Sequence, residues 1–202
     1  VTVTHIFFDI GGVLGTNGWD REQRAAAARH FGLDVAELED LHGEAIAMLE
    51  QGRMPLDDYL RNTVFNRPRS FQPAEFKACM LAQSAPFPET IDLARALART
   101  GRYRLMTINN ESDELNRYRL EQFGLRDIFM AFFSSCWLGL LKPARRIYEV
   151  ALAMSQAEPD SSLFIDDRER NLEPARDLGM RTIRFTDAAR LRQELAGLGV
   201  HT

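Results

Sequence analysis

Two apolar runs in this chain end on aspartate. HIFF is closed by Asp9, with Gly11 and Gly12 just beyond it, and SLFI is closed by Asp166 and Asp167. An acid at the end of a short apolar run, followed by glycine, reads as a buried strand that stops in a tight turn and presents its carboxylate there. Three carboxylates gathered at one place repel one another unless a cation joins them. With only oxygen ligands, and no His or Cys nearby in sequence, a hard ion is favoured. Mg²⁺ suits the site better than Ca²⁺, because few protein ligands leave room for water and a phosphate. Lys142 adds a second cation. Of the 25 basic residues only Lys77 and Lys142 are lysine, so a lysine here points to a site that wants a compact point charge. Three carboxylates plus a phosphate dianion come near balance only with both the metal and the lysine present. That combination suits attack by a carboxylate on phosphorus, driven by positioning and charge stabilisation. Thr107, closing YRLMTI, and Ser134 and Ser135, after DIFMAFF, are the hydroxyls at comparable strand ends.

These residues must be positioned by elements that the pattern supplies. After the first strand the chain reads as helical from Trp19 to about Ser84, with one helix stopping at Gly32 and another at Gly52. Beyond Pro86 and Pro88, strands and helices alternate. PETIDLARALART is a helix, YRLMTI a strand, ESDELNRYRLEQF a helix, DIFMAFF a strand and KPARRIYEVALAM a helix whose apolar positions are Ile147, Val150, Ala151 and Met154. SLFID, RERNLEPARDL and RTIRF then give strand, helix and strand, before a C-terminal helix. Alternation of this kind implies a parallel sheet covered on both faces, with ligands bound at the carboxyl ends of the strands. The expected fold is therefore α/β: a three-layer Rossmann-like core of residues 1–16 and 86–202, with an inserted helical domain at 17–85.

Composition narrows the partners. The chain has 202 residues, 29 acidic against 25 basic, and no basic run, which argues against nucleic acid. No apolar stretch approaches a membrane span, and Cys79 and Cys136 form no metal or disulfide pattern. A small-molecule partner, a cytoplasmic location and a monomer or homodimer are the expectations.

Taken jointly, the four segments resemble the haloacid dehalogenase (HAD) superfamily in its phosphatase form. FFDIGGVL matches the first motif, LMTIN the second, LKPARRIY the third and FIDDRERN the fourth, with a helical insertion where that family carries its C1 cap. The likeness is greatest to the small bacterial branch with a DxGxV first motif, which includes an α-glucose-1-phosphate phosphatase. The resemblance implies that Asp9 is a nucleophile forming an aspartyl-phosphate. Mg²⁺ would be held by Asp9, the Gly11 carbonyl, Asp166 and Asp167, and the phosphate by Thr107, Ile108, Asn109 and Lys142. The implied activity is Mg²⁺-dependent hydrolysis of a small phosphorylated metabolite, such as a sugar phosphate. Alternatives are a 2-haloacid dehalogenase, or a catalytically impaired phospholigand-binding protein. Gly11 stands where these phosphatases usually carry a second Asp as general acid, a step worth about 10²- to 10⁴-fold. His42 is a speculative replacement.

Overall fold

The computed structural model describes all 202 residues. Its centre is a five-stranded parallel sheet in the order β3-β2-β1-β4-β5, with β1 at His5–Phe8, β2 at Arg104–Asn109, β3 at Ala131–Ser134, β4 at Ser162–Asp166 and β5 at Arg181–Arg184. β1 is central because all four of its residues are buried. The alternation of its side chains feeds two separate cores. Ile6 and Phe8 pack with Leu105, Leu163 and Ile183 on one face, under helices α5 (Pro88–Arg99), α6 (Asp113–Gln122) and α10 (Ala188–Gly197). Phe7 points to the other face with Met106 and Phe164, covered by α8 (Arg145–Ser155) and α9 (Glu169–Asp177). A short α7 (Ser135–Leu138) follows β3 directly. The Rossmann-like three-layer architecture expected from the sequence is the one found.

Between β1 and α5 lie four helices, α1 (Arg21–Phe31), α2 (Val35–Glu50), α3 (Leu56–Thr63) and α4 (Pro73–Ala82). They close over a core of their own, in which Trp19, Leu49, Tyr59 and Phe76 are buried. Capping sets their ends: Asp34 accepts from the Glu37 N–H at 3.0 Å at the start of α2, and Gln72 with Glu75 forms a capping box on α4. The chain leaves and re-enters the sheet layer side by side. Thr16 N–H donates to Ala85 O at 2.9 Å and Phe87 N–H to Leu14 O at 2.8 Å. No helix is long and apolar enough to cross a membrane.

Two expectations need correction. DIFMAFF is a strand only from Ala131. Leu125–Asp127 form a 3-10 turn, after which Ile128 and Phe129 pack into the core from a bend. On α8 the buried stripe is Ile147, Tyr148, Ala151 and Leu152, while Met154 is exposed. The tyrosine hydroxyl made that helix look narrower than it is, and it is satisfied by the Asn171 carbonyl at 2.7 Å. Asn171 lies within α9, whose N-cap is Arg168.

Candidate active site

β1 lies between β2 and β4, so the residues following β1 meet the ends of both neighbours at the point where the strand order reverses. Asp9 N–H continues the ladder to Ile165 O at 2.8 Å. Its Oδ1 accepts from Ile10 N–H at 2.8 Å and from Lys142 Nζ at 2.8 Å. No protein group bonds Oδ2. Lys142 also reaches Asp166 Oδ2 at 2.7 Å, so one buried ammonium bridges the carboxylates of two adjacent strands. Asn110, just past β2, pins that lysine in place: its amide donates to the Lys142 carbonyl at 3.0 Å and accepts from the Lys142 N–H at 2.8 Å.

Asp166 is saturated by protein. Arg168 N–H and the Asn171 amide reach its Oδ1 at 2.8 and 3.0 Å, and Lys142 and the same amide reach its Oδ2. Asp167 is the opposite case, with a buried Oδ1 that has no partner. Carboxylate oxygens of Asp9, Asp166 and Asp167 lie within 4.8 Å of one another. Gly12 permits this convergence. It has φ 75°, and a Cβ there would stand 2.4 Å from Asp167 Oδ2.

The electrostatics follow from burial. Burial pushes the Asp9 carboxyl up to about 8, opposed by Lys142 and reinforced by Asp166 and Asp167. Burial likewise raises Asp166, but Lys142 and the hydrogen bonds from Arg168 and Asn171 outweigh it and hold that carboxyl low. Asp167 is raised by burial and by Asp166. Burial opposes the charge on Lys142, and the attraction of Asp166 and Asp9 overcomes it. An all-oxygen cluster with an orphaned carboxylate oxygen fits a hard divalent cation. Asp9 and Asp167 keep carboxylate oxygens without a protein partner, whereas both oxygens of Asp166 are already hydrogen-bonded.

The cluster opens on a cavity of about 280 Å³ between the sheet ends and the helical insertion, and only four of its 19 lining residues are hydrophobic. The sheet side supplies Asp9, Gly11, Asn110, Glu111 and Lys142, and the insertion supplies Trp19, Arg24, His42 and Glu50. Arg168 crosses the gap to pair with Asp20, the N-cap of α1. It is therefore a site-edge residue and not the solvated helix charge its sequence position suggests.

The second sequence segment is shifted from expectation. Thr107 pairs in register with Phe8, one step short of Asp9, and β2 continues to Asn109. Thr107 is fully buried, its hydroxyl has no partner, and neither it nor Ile108 nor Asn109 lines the cavity. Ile108 packs in the core. The Asn109 amide donates to Asn116 at 3.0 Å and its carbonyl accepts from Ser134 at 2.9 Å. Ser135 donates to the Glu50 carbonyl at 2.7 Å and accepts from the Glu111 N–H at 3.0 Å. These groups buttress the floor, and the residues that face the cavity from β2's end are Asn110, Glu111 and Ser112.

Arg119, on α6, carries no signal in the sequence pattern. It is 1% exposed, donates to Ser84 Oγ at 3.1 Å and to the Thr16 carbonyl, and stands 3.4 Å from Glu111. Its Nη1 lies 3.4 Å from where a Cβ on Gly11 would be. The space into which a side chain at position 11 would extend is thus already faced by a guanidinium. Gly18, with φ 69°, makes room for it, since a Cβ there would be 2.6 Å from Arg119 Nη2.

Known proteins resemble the chain in sequence and in fold. A D-ribitol-5-phosphate phosphatase of Bacteroides thetaiotaomicron is 26% identical over 96% of this chain and 97% of its own length. The rat bifunctional epoxide hydrolase 2 is 34% identical over 63% of the chain, which spans only 24% of that longer protein. Among solved structures, a HAD-like hydrolase of Porphyromonas gingivalis superposes over the whole of both chains with a TM-score of 0.79 at 22% identity. A HAD-family enzyme of B. thetaiotaomicron in complex with magnesium and inorganic phosphate does so over 94% of this chain and 98% of its own, with a TM-score of 0.75 at 18% identity. The family model for haloacid dehalogenase-like hydrolases matches residues 3–179, and the chain belongs to that family.

Proposed function

We propose that the protein is a Mg²⁺-dependent phosphomonoester hydrolase for a small phosphorylated metabolite, of sugar- or polyol-phosphate type, working through an aspartyl-phosphate on Asp9. One observation carries this reading: Asp9 has one oxygen fixed by Lys142 and Ile10 and the other free, at the floor of an enclosed polar cavity beside two further carboxylates. Asp9 Oδ2 attacks phosphorus, and the bond to the leaving oxygen breaks as the new P–O bond forms. Water then attacks the same phosphorus, the bond to Asp9 breaks, and carboxylate and inorganic phosphate are released. Asp9, the Gly11 carbonyl and Asp167 would hold Mg²⁺, with Asp166 orienting them, and the bound ion supplies charge to the phosphoryl oxygens. Lys142 supplies a fixed charge from the other side. No acid stands at position 11 to protonate the leaving oxygen, so aryl phosphates, which need little protonation, are the sensitive substrates. Residues 17–85 act as the cap that excludes water and selects the substrate.

The test is steady-state hydrolysis of an aryl phosphate and of sugar and polyol phosphates, with Mg²⁺ or with EDTA, by wild type and Asp9→Asn. Turnover is expected to need Mg²⁺ and to fall by at least about 10³-fold in the variant. Halide release from a 2-haloacid without Mg²⁺ would replace this reading with a dehalogenase. Tight binding of beryllofluoride with no turnover would replace it with a phospholigand-binding protein.

A further inference from the structure

The insertion carries a buried chain of hydrogen bonds whose direction can be read from donor and acceptor chemistry. Trp19 Nε1 lies 2.8 Å from the Tyr59 hydroxyl, and His42 Nδ1 lies 2.9 Å from that same oxygen. Indole nitrogen can only donate, so the Tyr59 oxygen accepts from Trp19. The single phenolic proton then goes to the acceptor at hydrogen-bond distance, His42 Nδ1 at 2.9 Å, which is unprotonated in this arrangement. In neutral imidazole the proton is therefore on Nε2. Nε2 has no partner in the protein and, in contrast to Nε2 of His5, is not sealed from solvent. His42 lines the cavity that holds Asp9. Arg24 braces the arrangement by donating to the Trp19 carbonyl at 2.6 Å while gripping Glu39 at 2.6 and 2.8 Å. Burial and the nearby Arg24 push the His42 pKa down to about 4, so the ring is neutral at physiological pH. A neutral imidazole is too weak an acid to protonate a leaving group, which removes His42 as the replacement for a general acid at position 11.

We infer that His42 Nε2–H is a fixed hydrogen-bond donor for a hydroxyl on the non-phosphoryl end of the substrate, which makes His42 a specificity residue. This rests on the phosphatase reading above and refines it. The donor shares its cavity with the Glu50 and Glu111 carboxylates. A wall that mixes an N–H donor with carboxylate acceptors suits hydroxyl groups, which do both.

The probes are ribitol 5-phosphate and pentyl phosphate, equal in chain length but with and without hydroxyls. His42→Asn keeps an acceptor for Tyr59 near the Nδ1 position and loses the donor at Nε2, whereas His42→Gln restores a donor near Nε2. Wild type is expected to favour the polyol phosphate in kcat/KM. His42→Asn should cut that preference about 10-fold, mainly through KM, with pentyl phosphate unchanged within about twofold, and His42→Gln should recover most of it. Nitrogen NMR of the wild-type ring should show Nε2 protonated and Nδ1 bare between about pH 5 and pH 8. Equal loss on both phosphates in His42→Asn, or a protonated Nδ1, overturns the inference. If wild type hydrolyses neither of these nor the aryl phosphate, the phosphatase reading falls. Calorimetry then decides this inference: ribitol 5-phosphate binding that His42→Asn leaves as tight as in wild type overturns it.

Discussion

The sheet core and the helical insertion each bury one arginine against one glutamate at the edge of the same cavity, and they do so differently. In the insertion, Arg24 meets Glu39 in a two-pronged contact at 2.6 and 2.8 Å. Glu39 keeps 26% of its side chain in solvent, and the hydrogen bond from Arg24 holds its pKa low. In the core, Arg119 and Glu111 stand 3.4 Å apart with 2% and 9% of their side chains exposed. Burial pushes Glu111 up to about 7 in spite of Arg119, and Glu50 adds to the shift. The first pair is closed on itself and serves to hold Trp19 and, through it, Tyr59 and His42. The second pair is incompletely neutralised and faces the space beside Gly11. Buried charge by itself does not mark a reacting centre; buried charge whose partner fails to satisfy it does.

Removing each arginine in turn tests that contrast, and the larger effect belongs to the core. Arg119→Gln should destabilise the protein by about 3–5 kcal/mol near pH 8, because Glu111 loses its countercharge in a buried site and must either stay charged and unpaired or take up a proton. The sign of the pH dependence follows from the raised pKa of Glu111. Its neutral form suits the fold, so stability is full below the ordinary carboxylate range and declines as pH rises through about 7. In the variant the opposing charge is gone, the Glu111 pKa rises further and the decline continues to higher pH. The gap between variant and wild type should therefore be small near pH 5 and widest near pH 8, read by urea denaturation at both values. A double variant with Glu111→Gln should regain most of the loss, since a neutral pair leaves no stranded charge. A gap independent of pH would mean that Glu111 does not carry the effect.

The same contrast explains what could be read in the sequence. The floor of the site was legible because parallel strands end in acids only at a cost: Asp9, Asp166 and Asp167 follow apolar runs, and Lys142 is conspicuous among arginines. The fold was legible for a related reason, as strand and helix periods alternate cleanly after Pro88. Thr107 was misplaced because β2 runs further than the apolar pattern, carrying the polar Asn109 as its last buried residue. Asn109 belongs there only because Asn116 and Ser134 complete its hydrogen bonds, and such partners lie on other elements. Arg119 was invisible on the same principle. On α6 it looks like any helix-face arginine, and its burial depends on Ser84, Thr16 and Gly18 from the stretch joining insertion to core. Sequence pattern reports what an element does by itself, whereas the cavity wall is made by pairs drawn from different elements.

Arg24→Gln is the matching change in the insertion, and its effect is smaller. Glu39 can turn its carboxylate to water, so the cost is that of the charge-assisted hydrogen bonds alone, about 2 kcal/mol. It should vary little between pH 5 and pH 8, because arginine does not titrate there and Glu39 is held below that range; loss of Arg24 lets the His42 pKa rise, which trims the cost slightly towards pH 5. A loss as large as that of Arg119→Gln, or one that grows with pH as strongly as in that variant, would erase the distinction between the two pairs.

The smallest expected effect concerns the histidine that the Arg24 network positions. His42 has a folded pKa of about 4 against the ordinary 6.5, lowered by burial and by Arg24. The unfolded chain therefore takes up a proton as pH falls through about 6.5, while the folded protein does not until about 4. The stability contributed by keeping the ring neutral is full above about 6.5 and is lost progressively below it. Between pH 7 and pH 5 this costs wild type about 1 kcal/mol, allowing for screening at the cavity wall. His42→Gln has no proton to gain, so its stability relative to wild type should rise by that amount as the pH is lowered. The shift is a direct reading of the hydrogen-bond chain: a ring free to pick up a proton in the folded state would give wild type and variant the same pH profile. Trp19 and Tyr59 would then not fix which nitrogen faces the substrate.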